Sequence, residues 1–183
     1  MKINAITSMI DTVNPIVGAE VGAWRGRLSN QLLNNLPNLT LHIVDLWRPW
    51  KAKGEAYHLS VDITQHISEI EFEQIYQQVK ILTAPFSDRV VINRDDSVAA
   101  AATYDSDYFD FVFIDAEHSE TALTLDIAAW YPKVKPGGWL CGHDYQHEDF
   151  PGVAKAVDAF AENINAVVKK VGYSCWFIKR PSC

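Results

Sequence analysis

Acidic and imidazole side chains repeatedly follow short apolar runs in this chain. Glu20 and Gly22 lie at the end of "IVGAEVG", and Asp45 follows "LHIV". Asp95, Asp96 and Ser97 follow "VVINR". Asp115 and His118 follow "FVFI", and His143, Asp144 and Tyr145 follow "GGWLCG". Carboxylates accept hydrogen bonds from hydroxyls and amines. Imidazoles take up a proton near neutral pH, which suits a general base. Asp115 and Asp144, with His118 and His143, are also residue types that hold a divalent metal. Each residue has a plainer use as well. Asp96 or Ser97 fits an N-cap, His118 fits the start of the helix after Ser119, and His143 fits a satisfied core position. Caps alone do not explain so many acids at one edge, because like charges brought together cost stability without a ligand or cation.

Those residues converge only if the apolar runs are strands of one sheet. The pattern predicts a helix over 3–13, ended before Pro15, and a buried strand at "PIVGAEV". A helix over 28–36 follows, with Pro37 beyond its end. "LTLHIVDLW" reads as a second strand and "SEIEFEQIYQQVKILTA" as an amphipathic helix. "DRVVINRDD" is a third strand, with a helix from Ser97. "YFDFVFIDA" is a fourth strand and "SETALTLDIAAWYPKV" a helix. "KPGGWLCGHDY" is a turn and fifth strand, "GVAKAVDAFAENI" a helix, and "NAVVKKVGYSCWFIKR" a hairpin about Gly172. Strands alternating with helices indicate an α/β fold with a mostly parallel sheet. The central strands show little polar alternation, as expected when helices cover both faces. In such a sheet, ligands bind beyond the carboxyl ends of the strands.

The chain has 183 residues, 48 % of them hydrophobic and 21 % charged. That length favours a single domain spanning 1–183, with helix 1–14 at its start. The net charge of −7 argues against nucleic acid or an anionic membrane as partner. Cys141, Cys175 and Cys183 have neither metal-ligand spacing nor a disulfide framework. A reducing, cytoplasmic setting is expected, with no leader peptide and no span across a bilayer. The longest irregular stretch, residues 48–65, is expected to form a lid or substrate wall with Trp47, Trp50 and Tyr57. A surface excursion packed on the sheet edge, or part of a dimer contact, is the alternative for that stretch.

The glycine turn decides between ligand classes. Gly18-Ala-Glu-Val-Gly22-Ala-Trp-Arg-Gly26 does not match the Gly-x-Gly-x-x-Gly turn that holds a dinucleotide pyrophosphate. Glu20 would repel a pyrophosphate and attract a cationic or amino-bearing ligand. Asp45, at the end of the second strand, is placed to accept both hydroxyls of a ribose. Asp96 could accept from an adenine amino group.

"GAEVGAWRGRLSNQLL", "LHIVDLWRPW", "FVFIDAEHSETALTLDIAAWYPKVKPGGWLCGHDY", "PGVAKAVDAF" and "WFIK" together resemble a class I S-adenosylmethionine-dependent methyltransferase. More narrowly, they resemble the methyltransferase family 24 group of small bacterial proteins. The likeness runs from Ile16 to Lys179. It implies a Rossmann-like seven-stranded sheet with an antiparallel last strand and helices on both faces. It places Glu20, Gly22, Ala23 and Gly26 along the methionine and ribose region, Asp45 and Leu46 at the ribose, Asp96 and Ser97 at the adenine, and Asp115 and Ala116 beside the sulfur. Metal-dependent relatives similar to catechol O-methyltransferase carry an Asp-Asn or Asp-Asp pair after strand five. This chain has Asp144-Tyr145, and tyrosine is a poor magnesium ligand. A magnesium-type ion on Asp115, Asp144 and His118 therefore stays open.

The expected reaction is methyl transfer to an oxygen of a small-molecule acceptor. His118 and His143 are the candidate bases, and Asp144 orients one of them or binds a metal. Little chain is left for a cap domain, so a homodimer partner is the expected source of any missing wall. Two other readings compete: a cofactor-binding module without catalysis, and a nicotinamide-dependent oxidoreductase, which the broken glycine turn disfavours. Nucleic acid is not the expected acceptor.

Overall fold

The computed structural model describes residues 2–49 and 63–182. Seven strands form one sheet: β1 (Ile16–Val21), β2 (Leu39–Val44), β3 (Val90–Asn93), β4 (Phe109–Ile114), β5 (Val134–Gly142), β6 (Val168–Val171) and β7 (Cys175–Lys179). Their spatial order is β3-β2-β1-β4-β5-β7-β6. The first five run parallel, and β7 pairs antiparallel with both β5 and β6. This is the Rossmann-like sheet expected, with the terminal hairpin on one edge. The helices are α1 (Lys2–Thr7), α2 (Arg27–Asn35), α3 (Glu69–Thr83), α4 (Ser97–Ala102), α5 (Glu120–Trp130) and α6 (Pro151–Asn163).

The absence of polar alternation in the central strands has a direct cause. Successive side chains of a strand point to opposite faces, and here both faces are covered. Phe111 and Phe113 of β4 pack with Ile6, Leu32 and Phe72 from α1, α2 and α3. Val112 and Ile114, one residue out of step, pack with Leu123, Trp130 and Val157 beneath α5 and α6.

Helix α1 is shorter than the predicted 3–13. It stops at Thr7, where the Thr7 and Ser8 hydroxyls turn back onto the carbonyls of Ile3 and Ala5 at 3.0 and 2.8 Å. Such bonds compete with the helical ladder. Asp11 then accepts from the Val13 N–H and the Asn14 amide, a local turn that redirects the chain before Pro15. Helix α3 starts where the sequence predicts, on a capping box: Ser68 accepts from the Glu71 N–H, and Glu71 accepts from the Ser68 N–H.

The sheet order reverses direction between β1 and β4. β1 leads outward to β2 and β3, while β4 leads the other way to β5. The crevice beyond their carboxyl ends is where such folds bind ligands. The backbone ladder continues one residue past several strands. Gly22 N–H donates to Val44 O at 2.8 Å, Asp115 N–H to Val21 O at 2.7 Å, and His143 N–H to Ile114 O at 3.3 Å. The residues that open the loops are thus held as firmly as strand residues.

Arg89 secures the far side of β2. Its guanidinium donates to the carbonyls of Leu33, Leu36 and Leu39, closing the end of α2. Arg89→Met leaves those carbonyls without their charged donor, and should lower unfolding free energy by about 2 kcal/mol. Denaturant unfolding of the two proteins, with unchanged m-value, is the measurement.

Candidate active site

A cleft of about 400 Å³ opens beyond the carboxyl ends of β1, β2 and β4. Among the residues around it are Gly22, Asp45, Leu46, Asp96, Ser97, Asp115 and Ala116. Glu117, Asp126, Trp24 and Arg48 also face it. Most of the predicted cofactor residues therefore share one cavity.

Gly22 sets the cleft's floor. Its φ is +87°, and a Cβ there would stand 2.3 Å from the Asp115 carbonyl oxygen. Only glycine allows the ends of β1 and β4 to approach so closely. Gly26 does different work. It has φ +69° before α2, and a Cβ there would crowd Val79 of α3 at 3.2 Å. Neither Ala23 nor Gly26 is among the residues around the cleft. The second half of the glycine turn sets helix packing instead.

Asp45 occupies the end of β2. One of its oxygens accepts from the Trp24 N–H at 2.8 Å, the other from the Trp47 N–H at 2.9 Å. Burial raises its pKa, and those backbone N–H groups oppose the rise. Each carboxylate oxygen can accept more than one hydrogen bond, so Asp45 keeps capacity for ligand hydroxyls. Asp96 caps α4, accepting from the Val98 and Ala99 N–H groups, and still borders the cleft. The Ser97 hydroxyl accepts from Trp130 Nε1 at 2.9 Å, and Ser97 also borders the cleft.

Trp47 does not form a substrate wall. It is fully buried, packs in the core near α3, and donates from Nε1 to the Trp24 carbonyl at 2.8 Å. Trp50, Tyr57 and most of the predicted lid lie outside the described residues. Arg25 is exposed, with its guanidinium 5.3 Å from the Trp24 ring centroid. Trp24, in contrast, lines the cleft.

His118, His143 and Asp144 come together at the ends of β4 and β5. His118 Nε2 lies 3.1 Å from one Asp144 oxygen, and His143 Nδ1 lies 2.9 Å from the other. Burial alone would raise the Asp144 carboxyl. The two imidazoles outweigh that and hold it well below the usual carboxylate range. Asp144 takes φ +56°, a left-handed conformation that aims its carboxylate between the rings. His143 Nε2 is 2.9 Å from the Ser174 hydroxyl, and the His118 ring stacks on Phe150 at 4.2 Å. Phe150 and Ser174 carry no sequence signal, since they lie in turns remote from the strand-end pattern.

Asp115 joins this group to the cleft. His143 Nδ1 is 3.9 Å from one of its oxygens, and Lys2 Nζ is hydrogen-bonded to the other. Burial raises the Asp115 pKa, and the Lys2 charge opposes the rise. Asp115, His118 and Asp144 each present one donor atom, all within 4.8 Å of one another. That spacing could suit a metal, but both carboxylates already have close partners. Asp144 uses both oxygens on imidazoles, and Asp115 uses one on Lys2. Tyr145 is not a ligand here, because its hydroxyl donates to Asp158 at 2.7 Å. A divalent ion here would have to share those carboxylates with the Lys2 ammonium and two imidazoles.

Glu20 is buried behind the cleft rather than in its wall, and accepts from the Ser29 hydroxyl on α2. Burial pushes its pKa from 4.5 up to about 8, with Asp115 and Asp45 adding to the rise. A raised carboxyl contributes stability below its unfolded pKa and loses it as pH climbs to the folded value. Unfolding free energy of the ligand-free protein should therefore fall between pH 4.5 and about 8. Glu20→Gln should flatten that decline, by up to roughly 1.4 kcal/mol per pH unit. Denaturant curves at stepped pH test it.

A family model described as a methyltransferase domain, methyltransferase family 24, matches residues 19–145. No curated protein matches. Among solved structures, the O-methyltransferase NovP is similar over 98 % of this chain and 76 % of its own, at 18 % identity and TM-score 0.67. A putative rRNA-methylase from Clostridium thermocellum is similar over 100 % of this chain and 95 % of its own, at 10 % identity and TM-score 0.67. An O-methyltransferase family protein from Burkholderia thailandensis is similar over 99 % of this chain and 56 % of its own, at 15 % identity and TM-score 0.62. At such identities the likeness describes the fold. The match over 19–145 runs from β1 through the Asp144 turn, and by it the chain belongs to the S-adenosylmethionine-dependent methyltransferases of family 24.

Proposed function

We propose that the protein transfers a methyl group to a hydroxyl oxygen of a small-molecule acceptor. The observation that carries this reading is the Asp144 carboxylate bridging two imidazoles beside Asp115: Asp115 lines the cleft, while His118, His143 and Asp144 are not among the residues around it and reach it through Asp115. A hydroxyl must lose its proton to attack carbon, and a positioned imidazole can take it.

Within the cleft, Asp45 would hold hydroxyls of the cofactor's ribose, and Asp96 and Ser97 would border its adenine, with Leu46 and Val98 supplying apolar contact. The cleft's volume lies within the usual range for small-ligand sites, about 300–1,000 Å³. When bound, S-adenosylmethionine supplies an electrophilic methyl on a positively charged sulfur. The carboxylates of Asp115 and Asp45, which line the cleft, favour that positive charge. His118 or His143 accepts the acceptor's proton. Asp144 holds both rings in register and stabilises whichever becomes imidazolium. The pinned rings let positioning supply much of the rate, since an in-line approach tolerates little misplacement.

The acceptor is a small molecule rather than RNA on this reading. Asp45, Asp95, Asp96, Asp115, Glu117 and Asp126 face the cleft, against Arg48 as its cation among the described residues. That lining repels a polyanion. A cofactor-binding module without catalysis would leave the His118–Asp144–His143 arrangement without a use.

Calorimetry should show S-adenosylmethionine binding, weakened about tenfold by Asp45→Asn, the equivalent of about 1.4 kcal/mol. With hydroxyl acceptors present, S-adenosylhomocysteine should accumulate. Replacing the proton-accepting histidine by alanine should cut kcat by about 100-fold or more while cofactor affinity holds. If His118→Ala and His143→Ala both turn over at the wild-type rate, oxygen methylation by this base is wrong.

A further inference from the structure

We propose that the Lys2 ammonium is the resident cation of the Asp115–His118–Asp144 cluster, so that the site receives its acceptor without a divalent metal. The inference deepens the methyl-transfer reading and rests on it for the identity of the acceptor. The geometry is local and specific. Lys2 Nζ bonds the Asp115 oxygen that does not face His143. Both side chains are largely shielded, with 31 % and 16 % of their surface exposed. Lys2 is not among the residues around the cleft, so its ammonium meets Asp115 from the side away from the cleft.

The position of Lys2 is not a matter of a loose tail. It opens α1, whose Ile3, Ala5 and Ile6 are buried in the core shared with α2 and β4. That packing delivers the lysine stem to the carboxyl end of β4, far from it in sequence. The remaining donors are committed in a matching way. His118 and His143 take the two oxygens of Asp144, and Tyr145 turns away to Asp158. A divalent ion would have to compete with the ammonium for Asp115 and with the imidazoles for Asp144. An ammonium balances the Asp115 charge without needing the oxygen-rich shell that magnesium demands.

Metal binding can be read without any methyl acceptor, which separates this proposal from the reading it deepens. Chelator-treated protein is titrated with Mn²⁺, and free Mn²⁺ is followed by electron paramagnetic resonance. Wild type should show no site tighter than about 1 mM. If Lys2 holds Asp115 nine-tenths of the time, its removal should tighten Mn²⁺ binding by about tenfold or more. Lys2→Met should therefore acquire one site, which Asp144→Asn in the same background abolishes. Lys2→Arg, which keeps the charge, should exclude Mn²⁺ as wild type does. One equivalent of Mn²⁺ bound by wild type in the micromolar range and lost in Asp144→Asn overturns the proposal, whether or not Lys2→Met folds. A folded Lys2→Met that gains no site overturns it equally. Failure to produce S-adenosylhomocysteine with any hydroxyl acceptor would instead count against the methyl-transfer reading, leaving the Mn²⁺ result to stand on its own.

Discussion

Buried negative charge at the carboxyl edge of the sheet is the constraint that shapes this molecule. Glu20 lies near the end of β1, and Asp45, Asp115 and Asp144 follow the neighbouring β2, β4 and β5; Glu20 and Asp144 are buried, and Asp45 and Asp115 are half-buried. Unpaired, such groups would cost several kcal/mol apiece. The chain meets the cost differently at each one. Backbone N–H groups bond Asp45. Burial keeps Glu20 protonated toward neutral pH against Ser29. Lys2 pairs with Asp115, and two imidazoles flank Asp144. These different solutions divide the edge into a fixed binding side and a side that can move a proton.

The parallel sheet makes that division sharp. Ladder bonds run on through Gly22, Asp115 and His143, so the cofactor side inherits the rigidity of the core. Asp144 lies just past that ladder, in a left-handed turn that only its neighbours hold in place. The Tyr145 N–H donates to the Ser174 carbonyl and its hydroxyl to Asp158. The terminal hairpin and α6 thus brace the proton-handling turn, which gives the antiparallel edge strands a role in chemistry as well as in packing.

Strand identity was legible because burial on both faces leaves an unmistakable run of apolar residues, as in "FDFVFI". Helix ends were less so. The hydroxyls of Thr7 and Ser8 stop α1 early, and apolar spacing alone continues through them. Trp47 shows the same limit in reverse. An aromatic in a long irregular stretch looks available to a substrate, yet a single Nε1 bond to the Trp24 carbonyl and a pocket near α3 bury it entirely.

The site was legible to the extent that it follows strand ends. Asp45, Asp115 and Gly22 are read directly from the alternation of apolar run and acid. Glu20 obeys the same pattern and still sits behind the wall, because it lies within β1 and its side chain meets Ser29 on the α2 face. Lys2 obeys no pattern at all. It reaches Asp115 through the tertiary packing of a six-residue helix, and no local spacing encodes a contact across 113 positions. The carboxylates were therefore visible before their counter-charges were. A reading made from strand ends alone will see an acidic cluster and supply a metal to it. The packing of α1 supplies an ammonium instead, and the electrostatic balance of the edge follows from that helix as much as from the sheet.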